Sequence, residues 1–477
     1  MADFCDTDRA KKVMATRTEA LMDTVRARIA SRALAPGDRL PSIRRQARTS
    51  GVSPSTVVEA YDRLEAEGLI RARRGSGFYV TGADLPPMAL AEMGPALDRD
   101  VDPFWVSRQS LDAEPDVLKP GCGWLPADWM PQAALRRGLR ALGRAEDALL
   151  SDYGGLRGSP ALRRWLAARF AEEGVVTPPD QVLLTASGTQ AIDLVCRLLL
   201  RPGDAVLVDD PCYFNFQALL RAHQVRIVGV PMTRAGPDVA AFERALVAEK
   251  PRLYVTNSAL HNPTGVTVTP QAAHRLLSLA TAHGLTIVED DIFADFEPSP
   301  SPRLAVLDGL NRVIRIGSFS KTLSASMRCG YVAARRDWIE GLVDLQVATN
   351  FGGPGAIAAE LVAGVLASGA YRKHMDDVRR RLTRARQAAV DRLAPLGLTP
   401  WVAPRGGFYL WCRLPEGADS AEIARRCLAE KVVLAPGNVF SVTQSAAGFL
   451  RFNVAQMAGD RVTTVLRAAM ASAPGPA

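Results

Sequence analysis

At 477 residues the chain is longer than a single hydrophobic core usually grows, so two or three folding units are expected. Hydrophobic residues make up 48% and charged residues 23%, an ordinary globular balance that excludes a disordered or fibrous chain. The net charge of +8 is unevenly spread: residues 16–80 hold twelve arginines against seven acidic side chains, so the amino-terminal segment is the basic one.

The first twelve residues, MADFCDTDRAKK, contain no apolar core of signal-peptide length. No stretch approaches the roughly 20 apolar residues of a membrane span, so neither export nor membrane insertion is expected. Seven cysteines (Cys5, Cys122, Cys196, Cys212, Cys329, Cys412, Cys427) are scattered and never spaced as CxxC. That pattern predicts a reducing, cytoplasmic setting and no metal site.

In chain order, Leu21, Val25 and Ile29 recur at helical spacing until Ala35-Pro36-Gly37 breaks the pattern. A second, short helix starts at Ser42, after Pro41, turns Ile43 and Ala47 inward and ends near Ser50-Gly51. Ser53 is a good N-cap for a third helix. Pro54 follows at the first helical position, where its missing N–H costs nothing. Val57, Tyr61 and Leu64 then share one face, and Gly68 closes it. Leu69 to Arg74, a Gly75-Ser76-Gly77 turn and Phe78-Tyr79-Val80 predict a two-stranded hairpin.

Three helices followed by a basic hairpin describe a winged helix-turn-helix whose third helix enters the major groove of double-stranded DNA. Ser53, Ser55 and Thr56 can reach phosphate or base edges; Arg44, Arg45, Arg71, Arg73 and Arg74 can supply phosphate or minor-groove contacts. A helical bundle used for protein contacts would leave the same arginines solvated. The stretch PSIRRQARTSGVSPSTVVEAYDRLEAEGLIRARRGSGFYV favours the first alternative. It resembles the GntR-type winged helix-turn-helix in its proline-serine-x-arginine start, glycine-valine-serine turn, threonine-valine pair and glycine-x-glycine wing tip, over about sixty-five residues. It departs from that family at Pro54, where an arginine is common.

Pro86, Pro87, Pro95, Pro103 and Pro115, without sustained periodicity, predict a linker. The expected boundaries are 1–82 for the DNA-binding domain, 83–116 for the linker and 117–477 for a larger domain. There, short β-branched runs (182–185, 205–209, 225–230, 253–256, 286–288, 313–316) mostly alternate with helical segments, the pattern of an α/β fold with a mainly parallel sheet covered by helices on both faces.

Several of those strands end on polar motifs. Ser187-Gly188-Thr189-Gln190 follows one strand and opens a helix, an arrangement favourable for phosphate. Asn262-Pro263-Thr264-Gly265, Glu289-Asp290-Asp291 and Ser318-Phe319-Ser320-Lys321 end three more, each about one strand-helix unit apart, so they can meet at the carboxyl edge of the sheet. Pyridoxal 5'-phosphate needs a lysine to hold it covalently, a carboxylate on its pyridine nitrogen and a cradle for its phosphate. Lys321, also the candidate catalytic residue, and Asp290 supply the first two. Arg328, Ser318, Ser320 and the Ser187–Thr189 turn supply the third. Tyr213 can stack on the ring and Asn262 can hydrogen-bond its phenolic oxygen. Singly, each has a plainer role: Tyr213 as a core aromatic, Lys321 as a solvated amine.

In order and together, these motifs resemble the fold-type I, class I/II aminotransferases over about 350 residues, with a small C-terminal subdomain. Fused to the preceding domain, they resemble the MocR-type regulators. The resemblance implies a homodimer, possibly domain-swapped, with Tyr153 reaching the partner subunit's phosphate and Arg451 receiving the carboxylate of an amino compound that serves as effector. Phe293 occupies the place of a tyrosine whose hydroxyl tunes the cofactor in the enzymes. A regulator with weakened transamination is therefore expected. A working aminotransferase with an accessory DNA-binding domain, or a sensor of the cofactor alone, stays open.

Overall fold

A computed structural model describes residues 17–30, 34, 38–73, 76–81, 109–111, 114 and 116–471. Arg74 and most of the expected linker lie outside the described residues. The chain divides into two compact units, 1–92 and 93–477.

In the first unit, α1 (Arg17–Ala30), α2 (Ile43–Ser50) and α3 (Pro54–Ala66) precede a hairpin of β1 (Ile70–Arg73) and β2 (Gly77–Val80). The ends of α2 and α3 follow from local chemistry. The Ser42 side chain accepts from the Arg45 amide, Gly51 ends α2 in the left-handed region at φ 64°, and Ser53 accepts from the Thr56 amide. Leu21 and Val25 of α1, Ala47 of α2, Val57, Tyr61 and Leu64 of α3, and Ile70 and Val80 of the hairpin close a single core. The hairpin pairs Ile70 with Val80 and Arg73 with Gly77. One pairing was not expected: Arg39 bridges Tyr79, with the Leu40 amide donating to Phe78 O at 2.9 Å and the Val80 amide to Asp38 O at 2.9 Å. A third segment thus backs the wing, too short to carry a period-2 signal.

The second unit is built on an eight-stranded sheet: β3 (Val182–Thr185), β4 (Ala205–Asp210), β5 (Arg226–Thr233), β6 (Gly236–Pro237), β7 (Leu253–Thr256), β8 (Thr286–Asp290), β9 (Val313–Ser318) and β10 (Gly330–Ala333). Its order is β3-β10-β9-β8-β7-β4-β5-β6. The β9-β8-β7-β4-β5 stretch is parallel throughout, and β10 runs antiparallel between β9 and β3. Alternate residues of each strand enter opposite cores. Leu207, Tyr254, Ile287 and Val313 pack on one face, while Val206, Val208, Val255, Val288 and Ile314 pack on the other. Both faces are therefore buried, which is why the strands read as unbroken apolar runs. A smaller antiparallel sheet, β11 (Thr399–Pro400), β12 (Tyr409–Arg413), β13 (Ala435–Pro436) and β14 (Phe449–Asn453), follows in the order β11-β12-β14-β13 and forms the C-terminal subdomain.

The expected strands 182–185 and 253–256 match residue for residue; the others run one to three residues further at their carboxyl ends, and β5 starts one residue later than expected. Strand β10, four residues long, carried no sequence signal of its own. Among the described residues no helix is long and apolar enough to cross a membrane, and the six described cysteines are free and buried.

Leu64 is fully buried in the first unit, so Leu64→Ala should cost that unit about 2–5 kcal/mol. Hydrogen exchange should show faster amide exchange across 17–80 with little change across 117–471.

Candidate functional site

The parallel strands deliver their motifs to one edge, as the period of the fold requires. A cleft of about 280 Å³ opens there, lined among others by Ser187, Gly188, Thr189, Tyr213, Asn262, Asp290, Ser320, Lys321, Arg328 and Arg451. Ser318 stands just behind it, its hydroxyl donating to Ser320 Oγ at 3.1 Å and to Cys329 O at 3.1 Å. Tyr153 does not line this cleft: it is 83% exposed, and its ring packs against Phe351 with centres 5.4 Å apart.

Ser187 caps the helix Gly188–Leu199 by accepting from the Gln190 amide at 3.0 Å, and Gln190 Oε1 in turn accepts from the Ala186 amide at 2.6 Å. The first-turn amides of Gly188 and Thr189 lie at the positive end of the helix dipole. Gly330 makes this possible from the neighbouring strand, since a Cβ there would lie 2.8 Å from Ser187 C and 3.0 Å from Gly188 N. Arg328 reaches the same end of the cleft from a left-handed backbone at φ 45°.

Asp290 projects from the end of β8 into the cleft while its neighbours point the other way. Glu289 accepts from the amides of Leu304 and Ala305, both at 2.8 Å. Asp291 accepts from Arg303 Nε and an Arg315 guanidinium nitrogen, both at 2.6 Å. This alternation leaves Asp290 without an ion-pair partner among the described residues, and burial raises its carboxyl to about 7 despite the Ile292 amide that donates to it at 3.2 Å. Burial likewise lowers the Lys321 amine to about 8.

Arg451, on β14, is 1% exposed. One guanidinium nitrogen donates to Asn262 Oδ1 at 2.8 Å and another to Gly121 O at 2.6 Å, while the Tyr409 and Phe440 rings flank it at 4.2 and 4.8 Å. With its oxygen so engaged, Asn262 has its amide nitrogen left for the cleft. Tyr213 is held through its own turn: Asp210 accepts from the Val442 and Thr443 amides at 3.1 and 3.2 Å, and the Cys212 amide donates to Phe440 O at 2.8 Å.

Sequence reasoning missed several lining residues, four of which bear on the site's chemistry. Cys122 and Gly123 come from a loop before the helix Gln132–Leu142, Asn257 from the turn after β7, and Tyr409 from the small sheet. Asn257 donates to Asp290 O at 2.8 Å, and its own buried Oδ1 has no partner among the described residues. Only a polar residue directly after an apolar strand could have flagged it.

In the amino-terminal unit, Arg44, Arg45, Ser53, Ser55, Arg71 and Arg73 are exposed, with Thr56 half-buried. The Ser53 hydroxyl lies 2.8 Å from both Ser55 Oγ and Thr56 Oγ1 and caps α3. The Arg73 guanidinium stacks over Tyr79 at 4.7 Å.

Residues 126–468 match the family described as aminotransferase class I and II, and residues 17–80 match the gntR family of bacterial regulatory proteins. The chain belongs to the class I and II aminotransferase family, with a gntR-family head. It is 30% identical over 455 residues to the HTH-type transcriptional regulator YdcR of Escherichia coli strain K12, covering 92% of this chain and 95% of that one. Over 366 residues it is 30% identical to the 2-aminoadipate transaminase of Thermus thermophilus, covering 75% and 90% respectively. The crystal structure of LysN, the alpha-aminoadipate aminotransferase of Thermus thermophilus complexed with N-(5'-phosphopyridoxyl)-L-leucine, is similar with a TM-score of 0.70 at 27% identity, covering 77% of this chain and 94% of that one. This is the MocR-type arrangement that the sequence motifs resemble, on a fold-type I scaffold.

The folded Asp290 carboxyl keeps its proton up to about pH 7, whereas the unfolded one loses it around its ordinary 3.8. Between those values the folded state binds more protons, so cofactor-free protein should lose stability as pH rises. Urea titrations at pH 4.5 and 7.5 should show that slope flattened in Asp290→Asn.

Proposed function

We propose that this protein is a transcription regulator that binds double-stranded DNA through its gntR-type head and pyridoxal 5'-phosphate through Lys321, with an amino compound as effector, acting in the cytoplasm as a homodimer. One observation carries this: a DNA-binding head shares its chain with a cleft that gathers Lys321, Asp290 and Arg451.

The cleft fits pyridoxal phosphate on its own chemistry. A capped helix end beside Arg328 suits a phosphate, and Asn257 Oδ1 and Arg451 Nε are buried without partners among the described residues. Ser187, Gly188, Thr189, Ser318, Ser320 and Arg328 would hold the phosphate, and Tyr153 would serve the partner subunit's site. Asp290 would pair with the pyridine nitrogen, Tyr213 would stack on the ring, and the Asn262 amide nitrogen would donate to the phenolic oxygen. When bound, the cofactor supplies an electron sink for chemistry at an amino-bearing carbon.

The protein's own groups then divide the work. Burial holds Lys321 partly as the free amine near neutral pH, the form that attacks a carbonyl. Arg451, anchored by Asn262 and Gly121 and flanked by two rings, presents fixed positive charge to a carboxylate. Phe293, 4% exposed and edge-on to Phe408, offers shape but no hydrogen bond. Losing one hydrogen bond to a charged group costs about 1.5–3 kcal/mol, enough to slow transfer without releasing the cofactor. A working aminotransferase is the second reading, favoured by the retained Lys321, Asp290 and Arg451.

On the head, Ser53, Ser55 and Thr56 at the start of α3, with Arg44, Arg45, Arg71, Arg73 and Arg74, would form the DNA surface. Sequencing the DNA captured by the purified protein, with and without pyridoxal phosphate, should return one family of paired half-sites, bound differently in the two conditions; capture without sequence preference overturns the regulator. Arg71→Ala/Arg73→Ala should weaken binding and lower the salt-dependence slope by about 2, since each arginine neutralises one phosphate.

Lys321→Ala should abolish the visible absorbance of bound cofactor. Wild type should keep that absorbance yet transfer amino groups in less than brisk multiple turnover, and rapid sustained transfer from a natural amino acid would favour the enzyme instead.

A further inference from the structure

Position 293 lacks a hydroxyl, but the cleft does not. Tyr409, on β12, is 5% exposed and lines the cleft with its ring edge-on to Phe293, centres 5.5 Å apart. Its opposite interaction is with Arg451, whose guanidinium lies 4.2 Å from the ring centre. The tyrosine is therefore wedged between the ring that has lost its hydroxyl and the arginine that presents charge to the cleft.

Gly123 marks the space that its hydroxyl borders. A Cβ on that glycine would lie 3.2 Å from the Tyr409 oxygen and 3.8 Å from Lys321 Nζ, so the phenol and the amine border the same small volume. No hydrogen bond ties the Tyr409 hydroxyl to any other described side chain or carbonyl, unlike Tyr254 and Tyr371, whose buried hydroxyls donate to Asp209 and Asp295. A hydroxyl kept in a mostly buried wall and aimed at open space is a hydrogen-bonding group held for a ligand. Glycine at 123 keeps that space clear.

We propose that Tyr409 supplies, at the Lys321 end of the cleft, the aromatic hydroxyl that position 293 does not carry. The inference rests on the reading of the cleft as a pyridoxal phosphate site. In that cofactor the phenolic oxygen is carried on the ring carbon next to the one bearing the lysine-binding carbon, so a donor bordering the Lys321 end of the cleft would be within reach of that oxygen. Donation favours the deprotonated form. Losing it should raise the pH midpoint of the bound cofactor's visible absorbance by about one unit, roughly tenfold in the ionisation constant.

The test compares wild type, Tyr409→Phe, and Tyr409→Phe/Phe293→Tyr by absorbance titration of the cofactor-loaded protein. A raised midpoint in the single variant, brought back by the double variant, is the expected result. An unmoved midpoint in a Tyr409→Phe protein that still binds cofactor overturns the proposal. A second readout needs no cofactor: acylation of Lys321 by acetic anhydride, followed by mass spectrometry across pH. Removing the neighbouring hydroxyl takes a polar group from the charged amine, so the Lys321 midpoint should fall in Tyr409→Phe. An unchanged acylation profile counts against the hydroxyl facing Lys321. Should wild type show no Lys321-dependent absorbance at all, the cofactor reading fails while the acylation arm still decides whether Tyr409 faces the amine. The phenylalanine keeps the ring that packs on Phe293 and Arg451, so an unchanged melting temperature separates these effects from a folding defect.

Discussion

Lys321 and Asp290 share one cleft without an ion pair between them, and burial pushes both the amine and the carboxyl toward their neutral forms. A direct ion pair would quench both groups. Instead, the alternation of β8 sends Glu289 and Asp291 to the opposite side, where backbone amides, Arg303 and Arg315 neutralise them. Asp290 is left buried without an ion-pair partner among the described residues, with the Ile292 amide donating to its carboxyl. The cost of such a site is real, since a buried charge without a partner is unfavourable. The compact ion network behind it is what lets the strand carry three carboxylates in a row.

The same edge depends on close backbone approach. Gly330 brings β10 against the start of the helix Gly188–Leu199, and that contact sets Arg328 and the Ser187–Thr189 turn at one end of the cleft. The small sheet fixes the other end. Arg451 on β14 and Tyr409 on β12 stand on paired strands, with Tyr409 opposite Asn453 and Trp411 opposite Arg451. Any shift of that sheet relative to the large one would move the Arg451 guanidinium and the Tyr409 phenol together.

Much of this was legible in the sequence because it rests on local rules. Ser42, Ser53 and Ser187 are capping residues at helix starts, and the buried strands 182–185 and 253–256 read as apolar runs since both of their faces are covered. Asn262, Asp290 and Lys321 were readable for a similar reason, each lying at or soon after the end of a parallel strand, one unit after the last. What was hidden came from tertiary placement. Tyr409 lies in a different sheet far along the chain from Lys321, Cys122 and Gly123 come from a loop without periodicity, and Asn257 is a single polar residue in a turn. Segment 38–40 joins the wing through backbone bonds that no side-chain pattern encodes. Tyr153 was legible only through its motif; in its own chain its ring is 83% exposed and does not line the cleft.

Under the proposed function, the physical demand on the cleft differs from that on an enzyme. A ligand controls a head only by binding two arrangements of the protein unequally, and moving a population from 1:99 to 99:1 takes about 5.5 kcal/mol of differential affinity. Rapid conversion of the ligand would dissipate that difference as soon as it formed. A site that keeps the anchoring lysine, the ring carboxylate and the carboxylate arginine, yet places Phe293 where a tuning hydroxyl is absent, retains the binding terms and weakens the chemical one. Tyr409 bears on the same balance from the other wall. Its ring packs on Arg451 while its hydroxyl borders the space next to Gly123, so on this reading it would add a hydrogen bond to what the cleft retains. Selective retention is what a sensing site requires, and it is the quantity in which this cleft differs from that of an aminotransferase with the tyrosine at position 293.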